Sequence, residues 1–302
     1  MKFPAFLVVL LLAGHAAAEG SLEGTLQGLK DAVASKNTTQ VKKLAIEAFP
    51  LVSEALAEPA PREAGAKPAW DSRIAYAKSV QSYAEYALFA TAVASPPATL
   101  VDLIATLERQ NPKSSYLDAA YGPYLVALNQ TGAASKTTAV TEKALANFPQ
   151  NEDLLLVALD ATASRKQNDR ALTYANRLVA ALSKHPKPEG MTAAQWERKR
   201  NAGLGRGYWV AGVIYGERGQ YQAADKNLRA ALPLIQGDAA MLGPALFHLG
   251  MANYHLGKMT LSKARVLEGS RFSEQCAAIS GPYTEQARHN ALVMKAEAAQ
   301  MR

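Results

Sequence analysis

The chain of 302 residues is long enough for one large domain or an elongated array of smaller units. Its hydrophobic content of 49% and charged content of 20% exclude an intrinsically disordered chain. A single cysteine, Cys276, excludes an internal disulfide, so stability has to come from packing. The formal net charge of +7 is a weak signal that fits simple solubility best.

The N-terminus has the pattern of a cleaved signal peptide. Lys2, the apolar residues 4–14 and the alanines at 16–18 give the charged, hydrophobic and small-residue regions in order. The apolar run is shorter than the roughly 20 residues that a membrane anchor needs. We expect cleavage after Ala18 and a periplasmic or secreted protein without a transmembrane span. An exported protein seldom meets nucleic acid, so we expect no nucleic-acid partner.

The rest of the chain is predicted to be helical throughout, because alanine is abundant and no alternating strand pattern occurs. Residues 19–57 are predicted to form an N-terminal helical segment. The Pro/Ala/Gly-rich residues 58–70 are predicted to be a linker or loop. Helical repeats are predicted over residues 71–282, with an insertion at 186–204. Residues 283–302 are predicted to be a C-terminal capping helix.

The clearest repeat unit is GYWVAGVIYGERGQYQAADKNLRAAL at 207–232, and it predicts two antiparallel helices joined by a tight turn. A glycine at the centre would supply the left-handed turn. Small residues would let the helices approach closely, while aromatic and large residues fill the space beside them. The unit carries residues in the order aromatic, large, small, aromatic, turn glycine, small, large and small. These residues are Tyr208, Ala211, Gly212, Tyr215, Gly219, Ala224, Leu228 and Ala231.

This pattern resembles the tetratricopeptide-repeat family, in an exported protein of bacterial type. The resemblance implies an all-α, right-handed α-solenoid of antiparallel helix pairs with capping helices. In a second unit at 246–270, Ser262 and Gly269 would be the later small positions. Successive turn positions lie 34, 53 and 38 residues apart. The middle spacing exceeds the first by 19 residues, which we call the surplus. The predicted turn residues are Gly132, Lys166, Gly219 and Gly257.

The surplus contains PKPEGMTAAQWERKR at 186–200. Its two prolines are expected to stop the preceding helix, because the residue before a proline avoids helical angles. Thr192 and Gln195 have the spacing of a capping box, and Met191 and Trp196 have that of a hydrophobic staple across it. We therefore predict one continuous helix from about 192 to about 218.

The sequence carries no recognisable catalytic, cofactor or metal site. No H-E-x-x-H, G-x-S-x-G, S-x-x-K or P-loop motif occurs. The glycines at 203, 205 and 207 follow a charged helical stretch, so close helix packing is expected there. His248 and His255 would lie about 10 Å apart along a helix without further ligands at a useful spacing. We predict that the protein is not an enzyme; an unrecognised composite site is the weaker alternative.

The family resemblance implies a concave groove, lined by the first helix of each pair, in which a peptide or a partner helix lies. Aromatic and arginine side chains usually carry binding energy. The expected anchors are an apolar, aromatic set, flanked by Arg206 and Glu217, that consists of Trp209, Phe247, Met251 and Tyr254. The alternative for Trp209 and Phe247 is packing between repeats. The expected groove residues are Asn129, Gln130, Asp160, Arg206, Trp209, Val213, Glu217, Phe247, Met251, Tyr254 and His255.

These features predict an exported helical-repeat scaffold that binds an unknown protein or peptide. The alternative is a non-catalytic binder of an anionic cell-envelope polymer. Ionic strength separates the two, because binding through charge weakens steeply with salt and binding through aromatic side chains does not. The basic face for the polymer would consist of Lys184, Lys187, Arg198, Lys199 and Arg200.

Overall fold

The computed structural model describes residues 21–301, which form thirteen α-helices and no strand. The predicted signal peptide therefore lies outside the described residues. Each helix packs mainly on the next one along the chain, within two compact units that are described separately below. The predicted all-α, solenoid-like class of fold is confirmed.

The N-terminal unit, described over residues 21–148, contains six helices. Residues 58–66 connect the second helix to the third, which begins inside the predicted linker with Pro68 in its first turn. Proline is tolerated there because the first helical amides have no partner within the helix. The helices are α1 (Leu22–Ala34), α2 (Thr38–Ala57), α3 (Lys67–Val93), α4 (Pro97–Gln110), α5 (Ser115–Gln130) and α6 (Thr137–Ala144).

The C-terminal unit, described over residues 149–301, contains seven helices. They form three antiparallel pairs followed by a last helix that packs on the third pair. The helices are α7 (Glu152–Ser164), α8 (Asn168–Lys184), α9 (Ala193–Glu217), α10 (Tyr221–Ile235), α11 (Ala239–Met259), α12 (Lys263–Ala277) and α13 (Thr284–Gln300).

The turns that join five of the helix pairs have the same left-handed geometry. In the α9–α10 turn, the Gly219 N–H donates to the Gly216 carbonyl at 3.1 Å and the Gln220 N–H donates to the Tyr215 carbonyl at 2.9 Å. This is the Schellman arrangement, which satisfies the last carbonyls of a helix. The same two bonds close the other four turns. The turn residues with positive φ are Lys36 (56°), Gly132 (74°), Lys166 (56°), Gly219 (69°) and Leu261 (53°).

The prediction of Gly257 as a turn residue is wrong. Helix α11 continues to Met259, and Leu261 takes the turn four residues later. Gly257 instead allows close packing, because a Cβ atom there would lie 2.8 Å from the backbone nitrogen of Val266. Ser262, expected as a small packing residue, caps α12 by accepting a hydrogen bond from the Arg265 N–H. The extra helical turn in α11 is the reason for the shift.

The single helix predicted through the insertion is confirmed as α9, which has 25 residues and is about 38 Å long. The Thr192 hydroxyl accepts the Gln195 N–H at 3.2 Å, and the Gln195 side chain accepts the Thr192 N–H at 2.9 Å. This completes the predicted capping box. Trp196 is buried one residue after the box. The insertion therefore extends the first helix of a pair.

The predicted close packing at glycines 203, 205 and 207 is confirmed. A Cβ atom at Gly207 would lie 2.9 Å from the Val179 side chain of α8, and one at Gly205 would lie 3.0 Å from Leu234 of α10. These glycines therefore let α9 approach α8 and α10 closely.

Lys166→Gly should stabilise the fold by about 1 kcal/mol, because a lysine Cβ is strained at positive φ and glycine is not. Thermal unfolding of the full chain measures the change. Lys184→Gly makes the same replacement at the last residue of α8, where glycine gives no such relief, and it should not raise the melting temperature. An unchanged or lower melting temperature for Lys166→Gly would contradict the strain at this turn.

Candidate functional site

The first helices of the pairs in residues 149–301 run parallel to one another. Lys199 and Arg206 of α9 meet Asp153 and Asp160 of α7 in the same order along both helices. Helix α9 packs in turn on α11, and α11 on α13. Side chains on these parallel helices can therefore form rows that cross from helix to helix.

Arg206 connects three of these helices. Its Nε donates to the Asp160 carboxylate at 2.7 Å, and its guanidinium lies 4.9 Å from the centre of the Trp209 ring. The Trp209 Nε1–H donates to the Met241 carbonyl at 2.7 Å. The structure thus brings together Asp160, Arg206 and Trp209, three of the expected groove residues. Met241 was missed because it precedes the predicted repeat unit, and no local signal marks it.

An aromatic strip continues from Trp209 across α9 and α11 to α13. Val213 packs on the same core as Trp209, and the Phe247 ring stacks on Tyr283 at 4.5 Å between ring centres. Burial raises the pKa of Tyr283, and the negative charge of Glu217 raises it further. Sequence reasoning missed Tyr283, which lies just before α13. We use "aromatic strip" below for Trp209, Val213, Glu217, Phe247 and Tyr283.

Four members of the aromatic strip are half-buried, and Glu217 is exposed. Arg206, beside the strip, is neutralised by Asp160. Among the described residues, no ion pair involves the Glu217 carboxylate. The strip therefore offers partly accessible apolar rings beside one negative charge that remains available.

The other predicted groove residues of α11 contact neighbouring helices. Met251 accepts a hydrogen bond from the Asn290 side chain at 3.2 Å, and the Tyr254 hydroxyl donates to Glu297 at 2.9 Å, both on α13. The His255 ring stacks on Tyr221 of α10, with 4.2 Å between ring centres. These three side chains hold helices together and are half-buried.

Asn129 and Gln130 belong to the other unit, residues 21–148. Both are exposed at the end of α5, and the Asn129 side chain donates to the Leu125 carbonyl of its own helix at 3.0 Å.

Glu108 is a partly buried carboxyl of the N-terminal unit that sequence reasoning did not single out. It accepts a hydrogen bond from the Tyr121 hydroxyl at 3.1 Å. Burial raises the pKa of Glu108, although the hydrogen bond from Tyr121 opposes the change. The arrangement links α4 to α5 and explains how this carboxyl is accommodated inside the unit.

Three of the five residues of the predicted basic face bind groups elsewhere in the chain. Lys199 lies 2.7 Å from Asp153 and 3.1 Å from Glu152. Burial lowers the pKa of Lys199, but the charges and hydrogen bonds of these carboxylates outweigh it and raise the pKa. Arg200 donates to the Leu182 carbonyl and Lys187 to the Met191 carbonyl. Lys184 and Arg198 are exposed.

Within residues 21–301, no three His, Cys, Asp or Glu side chains are grouped closely enough to hold a metal ion. Cys276 is buried, and its thiol donates to the Gly243 carbonyl at 3.3 Å. None of the helices described is both long and apolar enough to span a bilayer. The chain matches no protein-family model, and no curated protein is significantly similar to it.

Proposed function

We propose that this chain is an exported scaffold of the tetratricopeptide-repeat type that binds a protein or peptide along the aromatic strip. The repeated helix pairs with one shared turn support the family, and the parallel helices α7, α9, α11 and α13 support a binding surface built from first helices. The role is recognition without chemical conversion of the partner. Export through a signal peptide cleaved after Ala18 to the periplasm or the cell exterior is part of the proposal.

The observation that carries the proposal is the placement of the exposed Glu217 beside half-buried apolar rings. Because Asp160 already neutralises Arg206, the net charge offered to a partner is negative. Aromatic rings at a partly accessible surface are frequent anchors of binding. We infer that the partner presents apolar side chains next to at least one lysine or arginine.

Photo-crosslinking in the native cell tests this function. A photoreactive residue at Val213 of the full chain should capture a discrete partner, and Glu217→Lys should lower that capture about tenfold, because attraction becomes repulsion. Glu197→Lys reverses an exposed charge elsewhere on α9 and should leave capture unchanged.

A photoreactive residue at Arg271, exposed on α12, is the positional control. The proposal is wrong if Arg271 captures the same partner equally well. It is also wrong if Glu217→Lys leaves capture from Val213 unchanged while the variant remains folded.

A further inference from the structure

The α11–α12 turn carries two exposed apolar side chains. Met259 is 75% exposed and Leu261 is 82% exposed. Leu261 also has a φ of 53°, where a residue with a Cβ atom is strained. The four equivalent turns carry lysine or glycine at this position. A leucine at this position strains the backbone and exposes an apolar side chain to water. The folding of the turn therefore does not explain why position 261 is a leucine.

The turns of the three pairs in residues 149–301 lie next to one another. Arg218, after α9, pairs with Asp169 of α8 at 2.9 Å. Tyr221, at the start of α10, stacks on His255 of α11. A cleft of about 510 Å³ separates the second turn from Met259, and Lys226 is among its lining residues. Together the three turns form one edge of the unit, which we call the turn edge.

The turn edge is strongly basic. Residues 163–170, 216–226 and 258–265 contain eight lysines and arginines but only three acidic residues. Arg218 is paired with Asp169, whereas Lys166, Lys226 and Arg265 are exposed. Lys263 donates to the Met301 carbonyl at 3.0 Å. Lys258 is paired with Glu297 at 2.6 Å, so the exposed positive charge near Met259 and Leu261 comes from Lys226 and Arg265.

We propose that the turn edge docks on the surface of an anionic lipid bilayer. Met259 and Leu261 enter the boundary between headgroups and acyl chains, while Lys226 and Arg265 contact lipid phosphates. Apolar insertion and the attraction of basic residues to anionic lipid add together in such binding. The charge excess favours lipid over a second copy of this chain, whose own turn edge is equally positive.

This inference does not depend on the proposed partner site. The membrane contact uses Lys226, Met259, Leu261 and Arg265, none of which belongs to the aromatic strip. Glu217, the last residue of α9, is the one strip residue that lies within the turn edge. Failure of vesicle binding would leave the crosslinking test of the strip unaffected.

A fluorescent probe at the turn edge tests membrane docking. An environment-sensitive dye is attached to Met259→Cys in the full chain; the natural Cys276 is buried. Vesicles of phosphatidylcholine with phosphatidylglycerol should shift the emission to the blue, and nitroxide-labelled lipid should quench it. Pure phosphatidylcholine vesicles should give neither effect. The same dye at Leu292→Cys, an exposed position on α13, should not respond.

Variants then separate lipid binding from folding. Leu261→Gly should lower vesicle affinity about tenfold through lost apolar contact and yet raise the melting temperature, because it removes the strain. Lys226→Glu with Arg265→Glu should lower affinity by tenfold or more. Leu292→Ser is the matched exposed-leucine control and should bind like the unmodified chain. Residues 1–18 are common to all variants, so differences among them report the turn edge.

Three results would overturn the inference. The first is a silent probe at position 259 with both kinds of vesicle. The second is an equal response to neutral and anionic vesicles. The third is self-association in sedimentation velocity without lipid that Leu261→Gly abolishes, which would assign the surface to a second copy.

Discussion

Gly269→Val should lower the free energy of unfolding by about 3 kcal/mol or more. A Cβ atom at Gly269 would lie 2.7 Å from the Gly250 carbonyl oxygen and 2.9 Å from the Tyr254 backbone nitrogen. Backbone atoms cannot rotate away as side chains do, so α11 and α12 would have to separate. The branched valine adds two methyl groups at the same contact, which increases the cost.

Denaturant unfolding of the full chain, followed by circular dichroism, measures this effect. Gly237→Ala is the control, because a Cβ atom there would meet no heavy atom within 4 Å. That variant should change the free energy of unfolding by less than about 0.5 kcal/mol. If Gly269→Val also stayed within that limit, the close contact of α11 with α12 would be refuted. Because α11 carries Phe247, a lasting separation would also disturb the aromatic strip.

The sequence predicts most helix pairs of the C-terminal unit because their signals are local. Gly219 marks a turn, and Thr192 with Gln195 marks the start of α9; both signals act within a few residues. The sequence predicts the α11–α12 turn four residues too early, because a glycine can either form a turn or allow close helix packing. Gly257 looks like a turn residue but provides close packing, while a leucine gives no hint of positive φ. The length of α11, set by packing, decides between these roles.

The candidate site was predictable only within single helices. The periodicity of α9 places Arg206, Trp209 and Val213 on one side, and the structure keeps them near one another. Met241 and Tyr283 join them from other helices. Their positions depend on how far the parallel helices are offset along their axes. Met241 lies before the predicted repeat unit and Tyr283 lies just before α13, so no local pattern marks either residue.

His248 should make the fold sensitive to acid. It is 7% exposed on α11, and its Nε2 has no hydrogen-bond partner among the described residues. Its ring lies against Gly216 of α9, where a Cβ atom would be 2.6 Å from Nδ1, and meets the Phe247 and Tyr283 rings at their edges. Burial lowers the pKa of His248 to about 4. Protonation in the folded state would place an unpaired charge among apolar groups.

The unfolded chain has an ordinary histidine pKa of about 6.5, so it binds the proton first as the pH falls. The stability present above pH 6.5 should therefore be lost between pH 6.5 and about 4, by about 3 kcal/mol in total. Denaturant unfolding at pH 7, 6, 5 and 4 measures the slope. Carboxylates such as Glu152, whose pKa is lowered, add their own loss at the acidic end, so the comparison has to be between variants.

His248→Leu removes the titrating ring and should flatten the slope between pH 6.5 and 5, where few carboxylates change charge. His289→Gln, which removes an exposed histidine of α13, is the matched control. Equal slopes for His248→Leu and the unmodified chain would show that His248 is not the acid-sensitive group. Because His248 lies between α9 and the Phe247–Tyr283 pair, its protonation should loosen the aromatic strip before the whole chain unfolds. Capture from Val213 should then decrease at a higher pH than the one at which helicity is lost.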